Sequence, residues 1–83
     1  MVSIKIMYAT SWCGDCKRSK KFLDENNISY KIVDIDEDDE GRKIIMELNK
    51  GKAKVPTIVF VDDTILVEPS NKELAEKLRI KWK

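Results

Sequence analysis

The chain has no histidine, only two cysteines, two prolines and three glycines, and two each of tryptophan, tyrosine and phenylalanine. A closed tetrahedral metal site needs four ligands, usually cysteine or histidine, and one copy of this chain supplies two. The cysteines fall in one stretch, "SWCGDCK" at residues 11–17, too sparse for a disulfide scaffold. Charge of one sign is also missing. Sixteen basic residues face fifteen acidic ones, a net charge of +1, which gives no electrostatic case for nucleic acid. No apolar run approaches the ~20 residues that cross a bilayer. The start, "MVSIKIMYATSW", has a lysine inside its apolar stretch and no small-residue cleavage site, so no secretory signal is read there and a cytoplasmic protein is expected. In that reducing compartment a cysteine pair is expected to be catalytic or metal-binding rather than a permanent clip.

What is present makes one small domain, residues 1–83, with 42% hydrophobic residues to build a core. "VSIKIMY" alternates Val2, Ile4, Ile6 and Tyr8 against Ser3, Lys5 and Met7, the period of a strand. "CKRSKKFLDENN" puts Cys16, Ser19, Phe22 and Leu23 on one helical stripe and Lys17, Arg18, Lys20 and Lys21 on the other side, with Asn26 and Asn27 closing the helix. "ISYKIVDI" reads as a second strand. "DEDDEGRKIIMELNK" begins acidic and ends basic, as a helix dipole favours, with Ile44, Ile45 and Leu48 as its buried face. Asp36, Asp38, Gly41 and Glu47 come near a calcium-loop pattern, but Glu40 and the preceding strand break it. "PTIVFV" and "TILVE" read as a hairpin turning at Asp62 and Asp63. "PSNKELAEKLRIKWK" opens with Ser70 and Glu73 at capping-box spacing, with Leu74, Ala75 and Leu78 facing inward. Tyr8, Phe22, Tyr30 and Phe60 are expected in the core, and Trp82 on the last helix.

The element order is β-α-β-α-β-β-α. Strands one and two, joined through a helix, must run parallel with a right-handed crossover, whereas strands three and four form an antiparallel hairpin. A mixed four-stranded sheet with three helices, an α/β fold, satisfies both. Two cysteines spaced C-x-x-C after the first strand, beside such a pattern, read as a redox motif.

The segments "MYATSWCGDC", "KVPT" at 54–57 and "EPSNKEL" at 68–74 resemble the glutaredoxin/thioredoxin superfamily, and the whole chain is similar to small glutaredoxin-like proteins of the mycoredoxin kind. The resemblance implies a thioredoxin-like fold and a protein-disulfide oxidoreductase serving cell redox homeostasis. Cys13 would be the nucleophile, at a helix start where unpaired N–H groups and the dipole favour negative charge. Cys16 would resolve the mixed disulfide. Gly14 would let the chain turn tightly into the helix, and Trp12 would cover the site. Asp15 stands where relatives carry other residues: it would either oppose negative charge on Cys13 or cap the helix. Val55-Pro56 would be a cis peptide bond leaving the Val55 N–H and C=O to pair with an extended substrate. Trp12, Gly14, Asp15, Val55, Pro56, Thr57, Ser70 and Asn71 would line the groove, with Lys50, Lys52 and Lys54 near it.

No organic cofactor and no metal is implied, because two cysteines carry two electrons by themselves. Expected partners are disulfide-containing proteins or low-molecular-weight thiols and a thiol or reductase electron donor, with no membrane and no nucleic acid, and the chain is expected to be a monomer. The alternative is an iron–sulfur cluster carrier, a dimer sharing Cys13 of two chains, since Gly14 replaces a proline whose loss accompanies that role in some glutaredoxins. Glutathione-using relatives carry a lysine three residues before the first cysteine, here Thr10. They also carry a Gly-Gly pair and an Asp after the fourth strand, here "EPSN". The donor is thus open among glutathione, another small thiol and a thioredoxin-reductase-type protein.

Overall fold

The structure, a computed structural model, describes residues 3–80. In chain order the elements are β1 (Ile4–Ala9), α1 (Gly14–Glu25), β2 (Lys31–Asp34), α2 (Asp39–Leu48), β3 (Thr57–Phe60), β4 (Ile65–Val67) and α3 (Asn71–Leu78). The sheet order is β2-β1-β3-β4, with β1 parallel to β2 and antiparallel to β3, and β3 antiparallel to β4. This is the thioredoxin-like topology expected from the sequence. Val2 and Trp82 lie outside the described residues.

β1 is the strand on which everything else is laid. It is flanked on both edges, and Met7, Tyr8 and Ala9 are 0, 5 and 2% exposed. Strand alternation groups Met7 with Ser3 and Lys5, opposite Ile4, Ile6 and Tyr8, yet Met7 is fully buried. It is buried because an interior strand is covered on both faces and its run becomes continuously apolar. A bulge at Lys5, between the pairs Ile4–Phe60 and Ile6–Val59, also interrupts the alternation. α2 covers the Tyr8 side. Gly41 sits so close there that a Cβ would lie 2.8 Å from Val33 Cγ1 and 3.5 Å from Tyr8 Cε1. The Met7 side falls to α1 and α3, which touch each other and are tied by an Arg18 guanidinium N–H donating to the Pro69 carbonyl at 3.3 Å.

Each helix start has its own cap. Cys13 caps α1, Asp38 accepts from the Gly41 N–H at 2.9 Å on α2, and Ser70 with Glu73 makes a full capping box on α3. Asp38 thereby explains the acidic opening of α2. Each helix end closes in a Schellman-type turn on a left-handed residue: Asn27, Lys50 and Arg79 at φ 56, 56 and 55°. The closing bonds run from Ile28 N–H to Leu23 O, from Gly51 N–H to Met46 O and from Ile80 N–H to Ala75 O. The β3–β4 turn is one residue longer than the Asp62-Asp63 pair suggests, with Asp63 left-handed at φ 68° and Thr64 O paired with the Phe60 N–H.

The stripe Cys16, Ser19, Phe22, Leu23 and the triplet Leu74, Ala75, Leu78 are buried as expected. The α2 face is different. Gly41 and Ile45 are buried, whereas Ile44 and Leu48 are 40 and 43% exposed. A glycine at the contact lets the helix sit close along the Gly41–Ile45 line, which turns Ile44 about 100° away; Leu48, on the Gly41 side but at the last residue of the helix, is also exposed. Tyr8, Phe22 and Phe60 are core, while Tyr30 is half-buried with its hydroxyl donating to Asp24 at 2.8 Å.

The capping box gives a direct stability prediction. Ser70→Ala strands the Glu73 N–H, which Ser70 Oγ accepts at 3.1 Å. Stability should fall by about 1 kcal/mol, which is about 4–8 °C in melting midpoint for a domain of this size. Circular-dichroism melts would read it, and an unchanged midpoint would show that α3 is held by packing alone.

Candidate active site

α1 begins directly after Cys13, which has extended backbone angles (φ −84°, ψ 120°) and serves as the helix cap. Its Sγ accepts the Cys16 backbone N–H at 3.2 Å, in the place a serine or aspartate oxygen usually takes. As a thiol, Cys13 also donates its S–H to the Val55 carbonyl at 3.7 Å. The Val55 carbonyl is therefore engaged by the cysteine in the reduced protein, a correction to the expectation that both Val55 backbone groups are free. Val55-Pro56 is cis, as expected. Gly14 is not needed for a tight turn: a Cβ there would meet nothing within 4 Å. Its effect is to leave bare backbone beside the sulfur.

Cys16 follows one turn later and is 3% exposed. Its thiol is pushed up to about 12, first by burial, then by its hydrogen bond with Cys13, with negative charge on Cys13 and Asp15 adding to it and the Thr10 backbone opposing. Both cysteines are buried, but they differ in place: the Cys13 sulfur caps α1 and borders a groove, whereas the Cys16 thiol sits one turn inside the helix and is pushed up.

The groove over Cys13 has a volume of about 490 Å³. Trp12, Cys13, Gly14 and Asp15 form one wall, Ala53, Lys54 and Val55 the other, and Glu68 also borders it. Four of the expected groove residues, Trp12, Gly14, Asp15 and Val55, meet there with Cys13. Trp12 is 71% exposed and borders the groove beside Cys13. Its indole N–H donates to Asp36 Oδ2 at 2.7 Å, so it stands as a wall braced on the β2–α2 loop. Asp15 is paired with Arg18 at 3.1 Å, both half-exposed, so its charge is largely offset locally.

Other expected groove residues lie elsewhere. Pro56 and Thr57 are fully buried; the Thr57 hydroxyl donates to the Lys54 carbonyl at 2.7 Å and accepts from Asn49 at 3.2 Å, fixing the loop from beneath. Ser70 and Asn71 begin α3, Ser70 as its cap. Of the three lysines expected nearby, Lys54 borders the groove and Lys50 and Lys52 do not. Ala53 and Glu68 are the residues sequence reasoning missed. Glu68 has φ 49°, a left-handed conformation that costs a non-glycine residue about 1 kcal/mol. No short-range sequence pattern marks it.

A second cavity, about 530 Å³, opens beside Cys16 and is bordered by Thr10, Ser11, Lys17, Ile32 and Glu37. Thr10 and Ser19 are buried, and among the described residues their hydroxyl oxygens have no hydrogen-bond partner. Among the described residues there is also no group of three or more His, Cys, Asp or Glu side chains that could hold a metal ion. No described helix is long and apolar enough to cross a membrane.

Comparison with known proteins places this site in a family. The glutaredoxin family model matches residues 6–66. A Mycobacterium tuberculosis (strain H37Rv) protein bearing a glutaredoxin name is 40% identical over 72 residues, spanning 87% of this chain and 86% of the relative. Mycoredoxin 1 of Corynebacterium glutamicum is 33% identical over 72 residues, spanning 87% of this chain and 89% of the relative. Among solved structures, a mutant of a thioredoxin-like protein superposes with TM-score 0.81 at 27% identity, covering 98% of this chain and 100% of that one. A glutaredoxin from Archaeoglobus fulgidus gives TM-score 0.74 at 29% identity, with 95 and 88% coverage.

The asymmetry of the sulfurs is measurable. Thiolate absorbance in the reduced protein should show Cys16 ionising near pH 12, and Cys16→Ser should remove that step. The unfolded chain releases the same proton near its ordinary value of 9.0, so the folded state loses stability as pH rises from there towards about 12. A Cys16 step below about pH 10 would mean that burial does not control it.

Proposed function

The chain belongs to the glutaredoxin family of thiol redox proteins, and from that premise we propose that it is a dithiol–disulfide oxidoreductase in which Cys13 attacks and Cys16 resolves. The observation that carries the assignment is the bond between Cys13 Sγ and the Cys16 N–H at 3.2 Å, together with the groove that Cys13 borders and Cys16 does not. A helix N-terminus carries partial positive charge, and the Cys13 sulfur is the one placed there.

When Cys13 loses its proton it keeps the Cys16 N–H but can no longer donate to the Val55 carbonyl. That carbonyl then becomes available to a substrate backbone N–H, while the thiolate faces the groove. Cys13 attacks one sulfur of the substrate disulfide. A Cys13–substrate bond forms, the substrate S–S bond breaks, and the departing thiolate takes a proton from solvent.

In this mixed disulfide Cys13 carries no charge. The Coulombic and hydrogen-bond contributions that Cys13 makes to the raised Cys16 value are removed, leaving burial as the main one. Cys16 ionises more readily at the moment it is needed. Its thiolate attacks Cys13 Sγ, the Cys13–Cys16 bond forms, and the second substrate thiolate leaves and is protonated. The substrate has gained two electrons and two protons, and the protein is oxidised. An external dithiol, a pair of small thiols or a reductase restores it.

Substrates on this reading are protein disulfides or mixed disulfides presenting a short extended segment to Val55. Trp12, exposed and braced by Asp36, is the apolar contact.

The roles separate by mutation. Cys16→Ser should trap a mixed disulfide on Cys13 stoichiometrically, seen by mass spectrometry under non-reducing conditions. Cys13→Ser should reduce disulfides no faster than buffer. An adduct mapping to Cys16 in the native protein would reverse the two roles.

A further inference from the structure

We infer that Glu68 is a specificity-determining residue of the Cys13 groove, its carboxylate favouring disulfides whose groups next to sulfur are cationic or neutral over anionic ones. The inference rests on the dithiol reading above and names the class of substrate for that site.

Among the described residues, six have positive φ. Asn27, Lys50, Gly51 and Arg79 end helices and Asp63 closes the hairpin, so each has a local reason in the backbone. Glu68 ends no helix and closes no hairpin. It follows β4, its N–H donates to the Pro56 carbonyl at 2.8 Å, and its residue borders the groove with Cys13. Glycine takes this conformation without strain, and a left-handed glutamate at the edge of the Cys13 groove points to a task for the side chain.

That side chain is uncommitted. It is exposed, and no hydrogen bond or ion pair holds it among the described residues. The other acid of the groove, Asp15, has Arg18 at 3.1 Å to offset it. Lys54 is the only basic residue of the groove wall and makes no ion pair with Glu68. Glu68, after β4, and Lys54, before the cis peptide bond, place opposite charges at different points of the groove wall. The selection is therefore positional: a positive group is drawn to the Glu68 end, and a carboxylate is repelled from it.

The test needs no electron donor. Reduced protein, freed of reductant, is mixed with excess cystamine (cationic), bis-hydroxyethyl disulfide (neutral) or glutathione disulfide (anionic). One dithiol becomes one disulfide and one probe disulfide becomes two thiols, and acid-quenched alkylation gives the rate. Glu68→Gln should raise the glutathione disulfide rate and lower the cystamine rate, each by roughly three- to fivefold, the effect of one unit charge about 5 Å away in water. The neutral probe should stay within twofold of wild type, and the shifts should shrink towards none in ~1 M salt. Glu68→Asp keeps the charge and should keep the wild-type order of rates. Glu47→Gln makes the same change in net charge on α2, outside the groove, and should move nothing. Equal changes with all three probes, or the same shift from Glu47→Gln, would overturn the role of Glu68. Electron transfer to none of the probes by the wild type would overturn the dithiol reading itself.

Discussion

The structure turns on one contact, the Cys16 N–H on Cys13 Sγ at 3.2 Å. It uses Cys13, the proposed nucleophile, as the cap of α1. A serine or aspartate there would hold the helix start better, because oxygen accepts more strongly than sulfur. The weaker cap is compensated elsewhere: the Arg18–Pro69 bond ties α1 to α3, and the buried stripe of Phe22 and Leu23 seats the helix on the sheet. Because the cap and the reacting atom are the same, the helix cannot shift without moving the sulfur off its donor. The order of β1, loop and α1 thus places the Cys13 sulfur as well as the helix.

Much of this was legible in the sequence, for reasons that differ by element. The α1 and α3 stripes are amphipathic helices against one sheet face, where period and burial agree. The capping box at Ser70 and Glu73 is a local signature that needs no tertiary context. The parallel β1–β2 pair follows from the handedness of a strand-helix-strand connection. What failed were features set by neighbours distant in sequence. Met7 is buried because β3 and both helix layers close over β1, and the Lys5 bulge shifts the alternation. Ile44 is exposed because α2 approaches along Gly41 and Ile45, a choice made by Val33 and Tyr8 on the sheet.

The site shows the same division. The cysteines and the Val55-Pro56 bond were found because they lie inside short motifs. Thr57, Ser70 and Asn71 were placed in the groove by likeness. Their side chains instead hold the scaffold: Thr57 ties the loop to Asn49 and Lys54, and Ser70 caps α3. Ala53 and Glu68 were missed because membership of a groove wall is a property of folded backbone, and a left-handed glutamate has no sequence mark.

Asp15 tests how charge should be argued near a reactive sulfur. Read as an isolated carboxylate two residues from Cys13, it opposes negative charge there. In the fold it is a half-exposed partner of Arg18 one turn along the same helix. An exposed pair of that kind contributes at most about 1 kcal/mol to stability, and its two charges nearly cancel at a distance. The backbone donor acts at 3.2 Å, in a residue only 9% exposed, with no counter-charge between. Coulomb energy scales inversely with both distance and local dielectric, so the short, desolvated contact outweighs the screened pair. The environment of Cys13 is therefore governed first by the start of α1. Side-chain charge becomes decisive only where it is unpaired, as at Glu68, and there it acts on the incoming substrate rather than on the sulfur.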